Sequence, residues 1–192
     1  MSMSDNSGIH PYGIIKTEEV IHSTAVSETD IDIESNNTGG MTIISGSIAN
    51  STDGSGLEIR PLQANNGQFS TRYRVLSAAT TGSYFSNSSG GIPLNYYNTG
   101  NANSNSQPYG ERLNFEICVV HGEDGASGQG VDCIFGRTHY QYTSGFVLHL
   151  RFAAHGVNTP AAGNIGKIKF RRWNSGNFLG HFIVHKVGAS FA

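Results

Sequence analysis

At 192 residues the chain is long for one domain and short for two, and a formal net charge of −2 argues against free duplex DNA as its main partner. Two cysteines exclude a disulfide scaffold, and no run approaches the ~20 apolar residues of a membrane helix. Abundant glycine, serine, asparagine and threonine suit short strands joined by turns.

Residues 1–13 read as a flexible N-terminal arm, punctuated by Pro11 and Gly13, with neither the basic nor the apolar region of a secretory signal. The expectation is a protein made in a cytosol, with the arm as an attachment element. "EEVIHSTAV" (18–26) and "TDIDIE" (29–34) then alternate as strands. Ile31 and Ile33 share one face; Asp30, Asp32 and Glu34 share the other. Carboxylates two apart on a strand stand ~7 Å from each other, which suits a solvated face better than a calcium cluster.

"MTIISGSIA" (41–49) and "LEIRPL" (57–62) continue the pattern, as does "FSTRYRVLSA" (69–78). The stretch "NYYNTGNANSNSQPYG" (95–110) is the longest without periodicity. Its Tyr96, Tyr97 and Tyr109 are candidate ligand-contact residues able to stack on a sugar ring; the competing reading packs the loop on its own domain or a neighbouring subunit. "RLNFEICVV" (112–120) sets Leu113, Phe115, Ile117 and Val119 in strict alternation. The glycine-rich loop 121–130 lacks the Lys-Ser/Thr of a phosphate cradle and reads as a hairpin tip before strands in 131–142 and 145–154. Cys118 and Cys133 within these strands read as buried thiols acting as small apolar groups.

The last segment, "KIKFRRWNSGNFLGHFIVHKVG" (167–188), reads as a hairpin turning at Asn174 to Asn177, with Gly176 supplying a positive φ. That register sets Ile168 opposite Ile183 and Phe170 opposite His181, and places Lys167, Lys169 and Arg171 on the other face with Val184, Phe182 and Gly180. Leu113, Phe115, Ile117, Ile168, Phe170 and Ile183 are the expected core. His181 and His185 stand ~13 Å apart on a strand and cannot share a metal. With no carboxylate pair or nucleophile motif either, no catalytic, cofactor-binding or metal residue is assigned and a non-enzymatic protein is expected.

Ten or so strands, several with apolar groups on both faces, predict an all-β, single-domain antiparallel β-sandwich, jelly-roll-like, over 14–192. Lys167, Lys169, Arg171 and Trp173, with Phe178 and Phe182 across the hairpin, form a face too apolar for water. It is covered either by the domain's own second sheet or a loop, or by a neighbouring subunit. In the second case the Asp30-Asp32-Glu34 strand is a candidate cover, and the product is a closed homotrimer.

Ile168, Phe170, Ser175, Gly176, Asn177, Phe178, Gly180, Val184, Val187 and Gly188 together resemble the C-terminal signature of small virion structural and fibre-type modules of tailed bacteriophages, marine phages in particular. Where such modules tend to carry a terminal Tyr-Gly pair, this chain has "HKVG". The resemblance implies a virion location and a structural role as an exposed capsid decoration or tail/fibre-complex subunit, with capsid or tail proteins and further copies of itself as partners. The second reading is a carbohydrate-binding β-sandwich module that recognises host-surface glycan through the tyrosine loop.

Overall fold

Strict alternation in 112–120 demands a strand with one face inside, and the structure, a computed structural model, builds it that way: Leu113, Phe115, Ile117 and Val119 are buried, while Arg112, Asn114 and Glu116 are exposed. Described are residues 12–33, 40–50, 56–63, 71–77, 83–88, 91–94, 112–121, 132–141, 147–156, 165–172 and 176–189. Trp173, Tyr96, Tyr97, Tyr109 and residues 1–11 lie outside them. The strands are β1 (Tyr12–Val26), β2 (Glu28–Asp32), β3 (Met41–Asn50), β4 (Leu57–Gln63), β5 (Thr71–Ser77), β6 (Ser83–Ser88), β7 (Ile92–Pro93), β8 (Arg112–Val120), β9 (Cys133–Gln141), β10 (Val147–Gly156), β11 (Ile165–Arg172) and β12 (Phe178–Ala189). β1 thus begins just inside the expected arm.

The strands form two antiparallel sheets, β1-β12-β3-β8-β9-β10-β5-β6 and β2-β11-β4-β7. The protein is an all-β sandwich. Its pairings β1·β12, β2·β11, β3·β8 and β4·β7 nest inside one another, so the core is a long antiparallel ribbon folded across two layers, which is jelly-roll topology. At Ser27 the ribbon passes from one sheet to the other: Val26 pairs with Phe178 in the wide sheet, Glu28 with Arg171 in the narrow one, and the Arg172 amide donates to the Ser27 carbonyl at 3.4 Å. Two hairpins, β5-β6 and β9-β10, widen the first sheet to eight strands against four in the second.

The expected β11-β12 hairpin does not form. β11 lies between β2 and β4 in the narrow sheet, β12 between β1 and β3 in the wide one. Ile168 pairs with Ile31 and Pro61, and Ile183 pairs with Glu19 and Ser45. The chain passes from the narrow sheet to the wide one between Arg172 and Phe178, and Gly176 stands on that path at φ 119°, a conformation that favours glycine. Alternation fixes which side chains share a face, but leaves open which face turns inward and which strand lies beside it. β11 turns Phe170 inward and β12 turns Phe182 inward, and the two rings meet across the sandwich instead of side by side in one sheet.

That meeting is the centre of the core. Phe170 from the narrow sheet packs on Phe182 (ring centroids 4.9 Å) and Phe115 (5.2 Å), which are 5.7 Å from each other in the wide sheet. Ile31, Ile33, Ile44, Ile48, Ile59 and Ile168 surround them. Five of the six expected core residues are buried. The sixth, Ile183, is half-buried on the outer face, because the inward set of β12 is Phe178, Gly180, Phe182 and Val184.

Candidate functional site

Three arrangements of polar or reactive side chains stand out among the described residues, and they differ in what can reach them. The first lies at one end of the sandwich, where Gly40 and His121 leave their strands together; the His121 amide donates to the Gly40 carbonyl at 2.9 Å. Thr42, His121 and Asp132 are each at most 2% exposed. The Thr42 hydroxyl donates to the Ile33 carbonyl (3.3 Å) and lies 3.1 Å from His121 Nε2. With the single hydroxyl proton so used, Nε2 carries the imidazole proton and donates to Thr42. Nδ1 is then a bare acceptor, buried without a partner. Asp132 accepts from the Ile165 amide at 2.6 Å, which ties this end to β11.

Hydroxyl, imidazole and carboxylate are the ingredients of nucleophilic catalysis, but here the hydroxyl is fully enclosed and bonded to backbone. The cluster seals the end of the core. Burial pushes the His121 pKa below its ordinary 6.5, against the opposing pull of Asp132. The unfolded chain therefore takes up this proton more readily than the folded one, so the contribution is intact above pH 6.5 and is lost as pH falls through the depressed folded value. Thermal unfolding should show a lower midpoint at pH 5 than at pH 7, and His121→Gln should reduce that difference. An unchanged difference in the variant would assign the acid sensitivity to other groups.

The second arrangement is the outer face of the narrow sheet, where the expected interface residues Lys167, Lys169 and Arg171 lie. Their partners are in their own chain. Lys169 Nζ contacts Glu28 (2.8 Å) and Asp30 (3.6 Å), and Lys167 stands opposite Asp32. The Glu28 hydrogen bond outweighs burial and raises the Lys169 pKa, so the amine stays charged. Arg171 and Arg60 both donate through Nε to Glu58 Oε1, at 2.6 and 2.8 Å. The acidic strand considered as a neighbouring subunit's contribution is thus the adjacent strand of the same sheet. Phe178 and Phe182, expected beside the lysines, are fully buried beneath the second sheet, so they present no interface.

The third arrangement is the outer face of the wide sheet. Register sets its side chains in rows across β1, β12, β3, β8, β9 and β10. One row reads Glu19, Ile183, Ser45, Glu116, Arg137, Arg151; the next reads Thr17, His185, Ile43, Cys118, Phe135, Ala153. The centre, on β12 and β3, is uncharged apart from the two histidines. His181 Nε2 meets Glu19 at 2.6 Å, and His185 Nδ1 meets Thr17 at 2.9 Å. Both are ordinary cross-strand pairs. Between β8, β9 and β10 lies a shallow groove of about 390 Å³, lined by Glu116, Cys118, Phe135, Arg137, Arg151 and Phe152.

Burial and the nearby Glu116 raise the Cys118 pKa, so its thiol stays protonated; it donates weakly to Met41 Sδ at 3.9 Å. Cys133, expected inside, is exposed on this same face, because the inward set of β9 is Ile134, Gly136 and Thr138. Every large hydrophobic side chain that is exposed among the described residues belongs here as well: Ile21 at 62%, Phe135 at 50% and Leu179 at 39%. Each has an inward apolar neighbour in sequence, Val20, Ile134 and Phe178. Two adjacent apolar residues in a strand cannot share a face. That is the signal by which sequence alone marks this surface. Among the described residues no group of three or more His, Cys, Asp or Glu is placed to hold a metal ion.

Comparison with protein-family models, curated proteins and solved structures finds no match to this chain.

Proposed function

We propose that the chain is a non-enzymatic structural subunit of a tailed-phage virion, an exposed capsid decoration or tail/fibre-complex component that assembles with further copies of itself. The observation that carries this reading is the gathering of all exposed large hydrophobics among the described residues on one outer sheet face, which is how a subunit that buries that face in an assembly is built. The phage-like C-terminal motif supports the setting. Its Gly176 stands on the path between the two sheets, and its Phe170 and Phe178 are buried in the core, so these motif residues serve the fold. Thr42 and His121 are likewise committed to packing.

Electron microscopy of particles made with and without the gene tests the proposal. Regular lattice density that disappears with the gene identifies a decoration subunit, and density at one vertex identifies a tail or fibre component. Particles with no difference in density or composition would overturn it. The groove beside Phe135 favours a second reading, a module that stacks a host-surface sugar on an aromatic ring flanked by Arg137 and Arg151. Binding of the isolated protein to a glycan array, abolished by Phe135→Ala, would establish that reading.

A further inference from the structure

We infer that the outer face of the wide sheet pairs with the same face of a second copy of this chain, about a two-fold axis running along the strands. The inference rests on the reading of a self-assembling subunit and names the surface. Its first support is composition. Ile21, Leu179, Phe135, Ile183 and Ile43 share the face with Ser45, Ser47 and Ala49, with His181 standing among them and Arg112 bonded to the Ser47 hydroxyl at 3.1 Å.

Charge supplies the geometry. The β1 side of the face carries Glu19, and the β9-β10 side carries the exposed Arg137 and Arg151, with Glu116 the carboxylate beside them among the described residues, 3.2 Å from Arg137. A two-fold axis along the strands keeps each row in place and reverses the order of its strands. Glu19 of one copy then lies over Arg151 of the other, Ile183 over Arg137, and Ser45 over Glu116. In the next row His185 lies over Phe135 and Ile43 over Cys118. Acid meets base at both ends of the row, as an isologous contact requires.

The area is sufficient. Six strands at ~4.8 Å and five rows at ~6.8 Å span roughly 650 Å² per copy, close to the ~800 Å² per partner of a stable interface. This two-fold pairing replaces the three-fold assembly that a β11-β12 hairpin suggested, since the face invoked there is neutralised within the chain.

Light scattering of the full chain across micromolar concentrations tests the pairing. Twice the chain mass is expected. Ile21→Glu with Leu179→Glu should shift the mass to one chain while circular dichroism stays unchanged, because both side chains are already exposed. Glu19→Arg and Arg151→Glu should each raise the dissociation constant at least tenfold, and the two together should restore wild-type pairing. Lys169→Glu, on the other sheet, should leave the mass at two chains. A wild-type mass of one or three chains overturns the inference, as does a dimer indifferent to the Ile21, Leu179, Glu19 and Arg151 substitutions. Neither outcome bears on whether the protein belongs to a virion, which particle density decides.

Discussion

Phe170→Ala is expected to lower the unfolding free energy by about 3–5 kcal/mol, measured by urea titration at neutral pH. Phe170 is fully buried and is the narrow sheet's contribution to the aromatic centre, touching Phe182 at 4.9 Å and Phe115 at 5.2 Å. Its removal leaves a cavity that both sheets would have to approach each other to fill, and hydrogen-bonded ladders on either side hold them apart. Favourable ring geometry with Phe182 adds about 0.5–1.5 kcal/mol to the loss. Phe115→Ala should cost a similar amount, and the double variant less than the sum, since each first removal already spoils the other's packing. A loss below about 1 kcal/mol for Phe170→Ala would mean that the sheets close over the gap.

Glu58→Ala should cost about 2–4 kcal/mol, for an electrostatic reason. The Glu58 side chain is wholly buried, and its Oε1 receives both Arg60 and Arg171, joining neighbouring strands β4 and β11. Its Oε2 has no partner and lies against Gly91, where any larger residue would overlap the carboxylate. Glu58 thus neutralises two guanidinium groups while packing under the segment before β7. Truncation leaves those cations facing each other over a void. Their side chains are 22% and 27% exposed, so solvent recovers part of the loss, which places the cost below that of a fully enclosed pair. Glu58→Gln keeps the shape and should cost less than Glu58→Ala. Equal losses would assign the effect to charge alone, and a loss below about 0.5 kcal/mol for Ala would show that the arginines turn fully into water.

The alternation in 112–120 and 178–187 and the Ile31/Ile33 spacing determined that this is an all-β chain with two-sided strands. In 112–120 the alternation also picks out the core, whereas 178–187 is apolar on both faces, so that the expected Ile183 lies outside and Phe178, Phe182 and Val184 lie inside. Side-chain period is a local property set by the backbone, so it survives in the sequence whatever the topology. The adjacent pairs Val20-Ile21, Ile134-Phe135 and Phe178-Leu179 likewise announced that one apolar member must face outward. What alternation cannot carry is the identity of the neighbouring strand. Whether Lys169 meets Asp30 within the chain or across a subunit boundary, and whether Phe170 and Phe182 meet side by side in one sheet or across the sandwich, depends on the ribbon's crossing at Ser27 and Gly176. The buried Thr42-His121 contact joins positions 79 residues apart, and the Arg171-Glu58 lock joins positions 113 apart. No spacing rule reaches that far. Only the wrapping of one sheet over the other, driven by the need of both inward apolar sets to leave water together, brings those groups into contact.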